Sequence, residues 1–125
     1  MFNVLLVGTG GFVGSVGRYL VGLWVQSLVK QPWLPYGTLA VNVIGCFFIG
    51  LLYGLGEFRQ LLRPEARLLL VVGVLGGFTT FSSFGYETFA LMRDREFAAT
   101  LANIGAQLVL GLIAVWAGHL VARFI

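Results

Sequence analysis

The stretch GVLGGFTTFSSFG, residues 73–85, decides how this chain folds. It places glycines, hydroxyls and phenylalanines in the middle of an apolar run long enough to cross a bilayer, and that combination predicts a helix broken inside the membrane. A break leaves backbone N–H and C=O groups unpaired where no water reaches them, so it persists only when buried in protein or lining a polar path. The segment is therefore the first candidate for a conduction or binding site.

Composition points the same way. Of 125 residues, 58% are hydrophobic and 10% charged, and the mean hydropathy is +0.93, which assigns the chain to the integral membrane proteins. A transmembrane helix takes roughly 20 apolar residues. Four spans, at about residues 3–26, 37–56, 67–92 and 98–123, with short charged or Pro-containing connectors, use the whole chain as a single four-helix transmembrane domain over residues 1–125. The first span lacks a basic leader and is expected to be retained. Cys46, the single cysteine, lies within the second span and reads as a small packing residue. The net charge of +3 resides mostly at span ends, which argues against nucleic acid as a partner.

Basic residues set membrane orientation, and here they nearly tie. Arg59, Arg63, Arg67 and Arg123 fall on the side of the termini, while Lys30, Arg93 and Arg95 fall on the other, joined by Arg18 if it snorkels that way. Such a chain is expected to insert both ways and pair head to tail about a two-fold axis in the membrane plane. Gly10 with Gly14, and Gly50 with Gly54, have the small-xxx-small spacing that lets helix backbones approach closely.

Intramembrane polar groups are costly and need a partner or a function. Thr38 and Asn42 share a face of the second span, and Asn103, Gln107 and Gly111 form a stripe on the fourth. Taken alone, each stripe reads as interhelical hydrogen bonding; beside a broken third span, both line a path with donors that carry no fixed charge. Glu87 is the one carboxylate within a span, toward the end of the third, and its expected role is a structural salt bridge with Arg18, which lies inside the first. His119 is read as interfacial. No metal-ligand cluster, catalytic triad, phosphate loop or carboxylate pair is present, so the chain is not expected to be an enzyme. Phe81 and Phe84, three apart beside Thr79, Thr80, Ser82 and Ser83, would put two rings on one side of a helical turn. A ring edge is electropositive and attracts a small anion.

These residues carry a family resemblance over essentially the full length. G-x-x-x-R-Y at residues 14–19, P-x-G-T-L-x-x-N at 35–42 and G-G-x-T-T-F-S-x-F-x-x-E-T at 76–88 resemble the Fluc (CrcB) family of fluoride channels. The resemblance implies an antiparallel, dual-topology homodimer in a prokaryotic inner membrane, with two narrow pores and passive export of cytoplasmic fluoride. It implies a structural sodium ion held by the backbone carbonyls of Gly76 and Thr79 from both copies. It makes Phe81 and Phe84 the rings whose edges face fluoride, and Asn42 a pore donor. Thr38, Ser83, Asn103 and Gln107 complete the polar lining, and Arg18 stands near the mouth. Gly111 departs from the family pattern, offering no side-chain donor, and Ser83 stands where threonine is common.

Two rivals remain at this level. A small dual-topology multidrug exporter works by proton exchange at a first-span glutamate, which this chain lacks. A non-transporting membrane subunit would use the stripes only to hold partner helices.

Overall fold

The computed structural model describes all 125 residues and contains helices and connectors only. Helix α1 spans Phe2–Leu28 and α2 spans Tyr36–Arg59. The third span, Pro64–Arg93, is split into α3 (residues 64–78) and α4 (Phe81–Arg93), and α5 spans Phe97–Phe124. Local chemistry sets the ends. Pro35 caps α2, Pro64 opens α3 at a position where its missing N–H costs nothing, and Gln60 stops α2 in a left-handed conformation at φ 52°.

Helices meet through their smallest residues. A Cβ at Gly50 would collide with the backbone of Val115, and one at Gly118 would collide with the Phe47 carbonyl, so α2 and α5 touch nearly backbone to backbone. Gly10 and Gly14 do the same for α1 against α3, facing Leu69, Gly73 and Val74. Both glycine pairs expected from spacing thus serve close approach.

Only 19 of 125 residues are buried, and Val41 and Asn103 are the largest fully buried side chains. An interior of glycine and alanine turns the large apolar side chains outward, among them Phe12, Trp24, Leu101 and Leu112. In a four-span membrane protein those faces meet lipid or another copy of the chain.

The third span differs in detail from the sequence expectation. Gly73, Gly76 and Gly77 are all helical, and no glycine has a positive φ. Residues Leu68–Leu75 form a π-helix, followed by one α-turn at Gly76–Phe78. The true break is two residues wide: Thr79 (φ −83°, ψ 157°) and Thr80 (φ −150°, ψ 113°) are extended. Glycine's function here is contact, since Gly73 lies against Gly10 and Gly77 against Gly11. Threonine turns the chain.

Candidate functional site

Asn42 holds the break open. Its Oδ1 accepts the Thr80 N–H at 2.9 Å, and its Nδ2 donates to the Thr80 carbonyl at 3.1 Å. One side chain therefore satisfies both the N–H and the C=O of Thr80, the kind of pairing a break in lipid requires. Thr80 then restarts the helix as an N-cap: its Oγ1 accepts from Ser83 N at 3.2 Å and donates to Ser83 Oγ at 3.0 Å. Sequence pattern does not give Thr80 this role. The hydroxyl three positions before Ser83 is the one signal that points to it.

Two cavities meet at this point, and Thr80 lines both. One, of about 420 Å³, lies between α1 and α2 and is lined by Ser15, Arg18, Gln26, Thr38 and Ser83 among others. The second, of about 360 Å³, is lined by Asn42, Cys46, Phe81, Phe84, Gln107 and the break residues Gly76 and Thr79, with apolar surface dominating. The expected pore residues are thus divided, with Thr38, Ser83 and Arg18 on one side of Thr80 and the rings, Asn42 and Gln107 on the other. The Phe81 and Phe84 rings lie 5.5 Å apart at 61°, edge toward face. Phe81 is 82% exposed in the single chain, so nothing within one copy covers it.

Donors are more committed than the sequence suggests. Thr38 Oγ1 donates to Glu87 Oε1 at 2.7 Å. The two amide protons of Asn42 go to Thr80 O and to Gln107 Oε1, each at 3.1 Å. Asn103, fully buried, donates to Thr88 Oγ1 at 3.0 Å, and Thr88 in turn donates to the Phe84 carbonyl at 2.7 Å. Three buried polar atoms have no protein partner: Glu87 Oε2, Asn103 Oδ1 and Gln107 Nε2. Only the last is a donor, and Gln107 lines the aromatic cavity. Gly111 packs against Cys46, whose Sγ would lie 3.5 Å from a Cβ there, so this end of the stripe is a contact between α5 and α2.

The expected salt bridge between Arg18 and Glu87 does not form. Glu87 accepts from Thr38, whereas the Arg18 guanidinium lies 3.4 Å from the Thr79 carbonyl. Spacing places both residues in the membrane, but the fold gives each a different partner: the break sets the Thr79 carbonyl within reach of Arg18, and α2 sets the Thr38 hydroxyl on Glu87. His119 lies beside Glu57 at 3.9 Å and against the Phe58 ring, near the end of α5.

The break also bears on cation binding. Thr80 N–H, which in a continuous helix would bond the Gly76 carbonyl, is turned to Asn42, so that carbonyl is released. Thr79 O meets only Arg18, at the long limit of a hydrogen bond. Two freed carbonyls on one chain are the ligand type of a hard cation but too few for a complete shell, so the donor set fits such an ion when a second copy supplies the same pair.

The family model described as CrcB-like protein, Camphor Resistance (CrcB), matches residues 5–119. Among similar proteins, one named fluoride-specific ion channel FluC from Solibacter usitatus is 50% identical over 119 residues, covering 95% of this chain and 97% of its own. Proteins of the same name from Agrobacterium fabrum and Geobacter sulfurreducens are 49% and 46% identical over 123 residues, with 98% of each chain covered.

Proposed function

The chain belongs to the CrcB family, and on that premise we propose that it is a fluoride-selective channel of the cell membrane, exporting fluoride passively and performing no catalysis. The observation that carries this reading is the aromatic cavity: two phenylalanine rings and the amide side chains of Asn42 and Gln107 line one space beside a helix break, with no fixed positive charge among its lining residues. Fluoride's tight hydration shell would be exchanged there for a few donors and ring edges at a radius larger anions do not match. Arg18, at the first cavity, supplies long-range attraction for anions, and Ser83 offers a hydroxyl between that cavity and Thr80.

The working unit in this reading is an antiparallel homodimer. Its support is the near-tie of basic residues and the exposed Phe81 ring beside the break. A structural sodium ion fits the Gly76 and Thr79 carbonyls of two copies, where it would neutralise four inward carbonyl dipoles and tie the two breaks together.

Efflux from liposomes containing only this protein tests the channel reading. Fluoride efflux is expected with chloride retained, and it should stall unless valinomycin lets potassium leave with it, because a channel moves the anion's charge uncompensated. A proton-coupled exporter would run without valinomycin. A non-transporting subunit would give no flux at all.

A further inference from the structure

We propose that the groove between α2 and α3 holds one acyl chain of an anionic phospholipid, whose phosphate is bound by Arg59 and Arg63.

Helix α2 packs on α5 and α3 packs on α1, and between α2 and α3 lies an apolar groove of about 340 Å³. Ile44, Phe48 and Leu52 form its α2 wall, and Leu70, Val74 and Phe78 form its α3 wall. No polar residue lines it, so it suits hydrocarbon and gives water no partner. The groove lies apart from the face on which a second copy would seat. The break and the exposed Phe81 ring border the aromatic cavity, which Asn42, Cys46 and Ile49 line from another side of α2, about a third of a turn away at the helical period.

Charge selects the occupant. Ile44, Phe48 and Leu52 recur at every fourth residue, and Arg59, seven residues past Leu52, returns to the same face of α2. Arg63 stands across the mouth of the groove, at the N-cap of α3 and seven residues before Leu70. Both arginines are exposed, and neither meets a carboxylate, since the two ion pairs of the chain join Arg93 to Asp94 and His119 to Glu57. Glu57, two residues before Arg59, is turned to the opposite face of α2, beside His119. Arg67 is engaged elsewhere, donating to Tyr53 Oη at 3.1 Å.

Depth agrees with charge. Ile44 to Arg59 is about 22 Å of helix at 1.5 Å per residue, half of the roughly 40–45 Å that a bilayer measures with its headgroups. The groove therefore runs through one leaflet, and the two guanidinium groups stand at headgroup level with their donors free for a phosphate. Val74 and Phe78 are also the residues whose backbone a Cβ at Gly14 would strike, so a chain seated against them braces α3 just before Thr79.

Binding of dioleoyl phosphatidylglycerol and dioleoyl phosphatidylcholine to the full chain in detergent, followed by native mass spectrometry, tests this without reference to transport. Phosphatidylglycerol is expected to bind about 25-fold more tightly, each arginine near an anionic headgroup being worth about fivefold. The double variant Arg59→Gln, Arg63→Gln should lose that preference and keep wild-type melting in lipid-free detergent, because neither side chain has a protein partner. Leu52→Trp fills the groove and should weaken both lipids. A wild-type protein without the preference, or a double variant that retains it, would overturn the proposal. So would a Leu52→Trp protein that keeps its lipids; if it also falls apart into monomers, the groove is an interface between copies. Should Leu52→Trp fail to fold, the arginine pair still decides.

Discussion

Gly14→Ala is expected to abolish fluoride efflux and to destabilise the fold, although it adds one methyl group to a helix that glycine normally weakens. In an exposed helix the change would be favourable by about 0.5–1 kcal/mol. At Gly14 the new Cβ would run into the Val74 carbonyl and lie 2.8 Å from Phe78 N and 2.9 Å from Val74 C. Every one of those atoms is backbone, so no rotamer can yield. The helices must part, at a cost of about 1–3 kcal/mol for overpacking. Val74 and Phe78 flank Gly76 and come just before Thr79, so the displacement falls directly on the break. Gly17→Ala, one turn on, is the control. Its nearest neighbour would be the Phe78 ring at 3.5 Å, an ordinary contact, so the substitution is expected to keep alanine's helix advantage and to leave stability unchanged or raised by up to about 1 kcal/mol. Thermal unfolding in detergent, measured beside liposome efflux, checks both. A Gly14→Ala protein with wild-type melting and efflux would show that this clasp does not set the geometry of the break.

That the break exists is legible in residues 73–85, because glycines and hydroxyls clustered in a lipid-length run weaken a helix that apolar residues would sustain. Its cause is not legible there. Glycine suggests conformational freedom, yet every glycine in the stretch is helical and those at 73 and 77 serve close approach. The turn instead belongs to Thr79 and Thr80, and it depends on Asn42, 38 positions away in sequence. Periodicity on one helix does not report which backbone group a distant amide will meet. The π-helix at Leu68–Leu75 is equally silent in sequence, since LLLVVGVL reads as any apolar helix. Arg18 and Glu87 show the limit most clearly: opposite charges in one membrane suggest a pair, but a hydroxyl and an unwound carbonyl nearer to each take precedence. Polar stripes locate the candidate donors. Only the bonding network shows that Asn42 is fully engaged and that Gln107 is not.

Replacing both Phe81 and Phe84 by isoleucine is expected to cut fluoride efflux by about 5- to 150-fold while leaving chloride excluded, taking each ring edge as worth roughly the 0.5–1.5 kcal/mol of an edge-to-face ring pair. Isoleucine keeps an apolar wall but lacks the ring's quadrupole, so the substitution separates electrostatics from sealing. If the rings only exclude water and larger ions, the isoleucine protein should conduct at the wild-type rate. Stability supplies the second readout. Phe81 is 82% exposed in the single chain, so its ring adds little to the fold of one copy. Phe84 is partly covered and sits 5.5 Å from it, on the same turn of α4. Melting of the monomeric fold should therefore shift less for Phe81→Ile than for Phe84→Ile, whereas efflux should fall for both. Two single variants with unchanged efflux would remove the ring edges from the path. The exposed Phe81 ring would then be a contact with a second copy, and anion recognition would fall to the polar side chains of the two cavities.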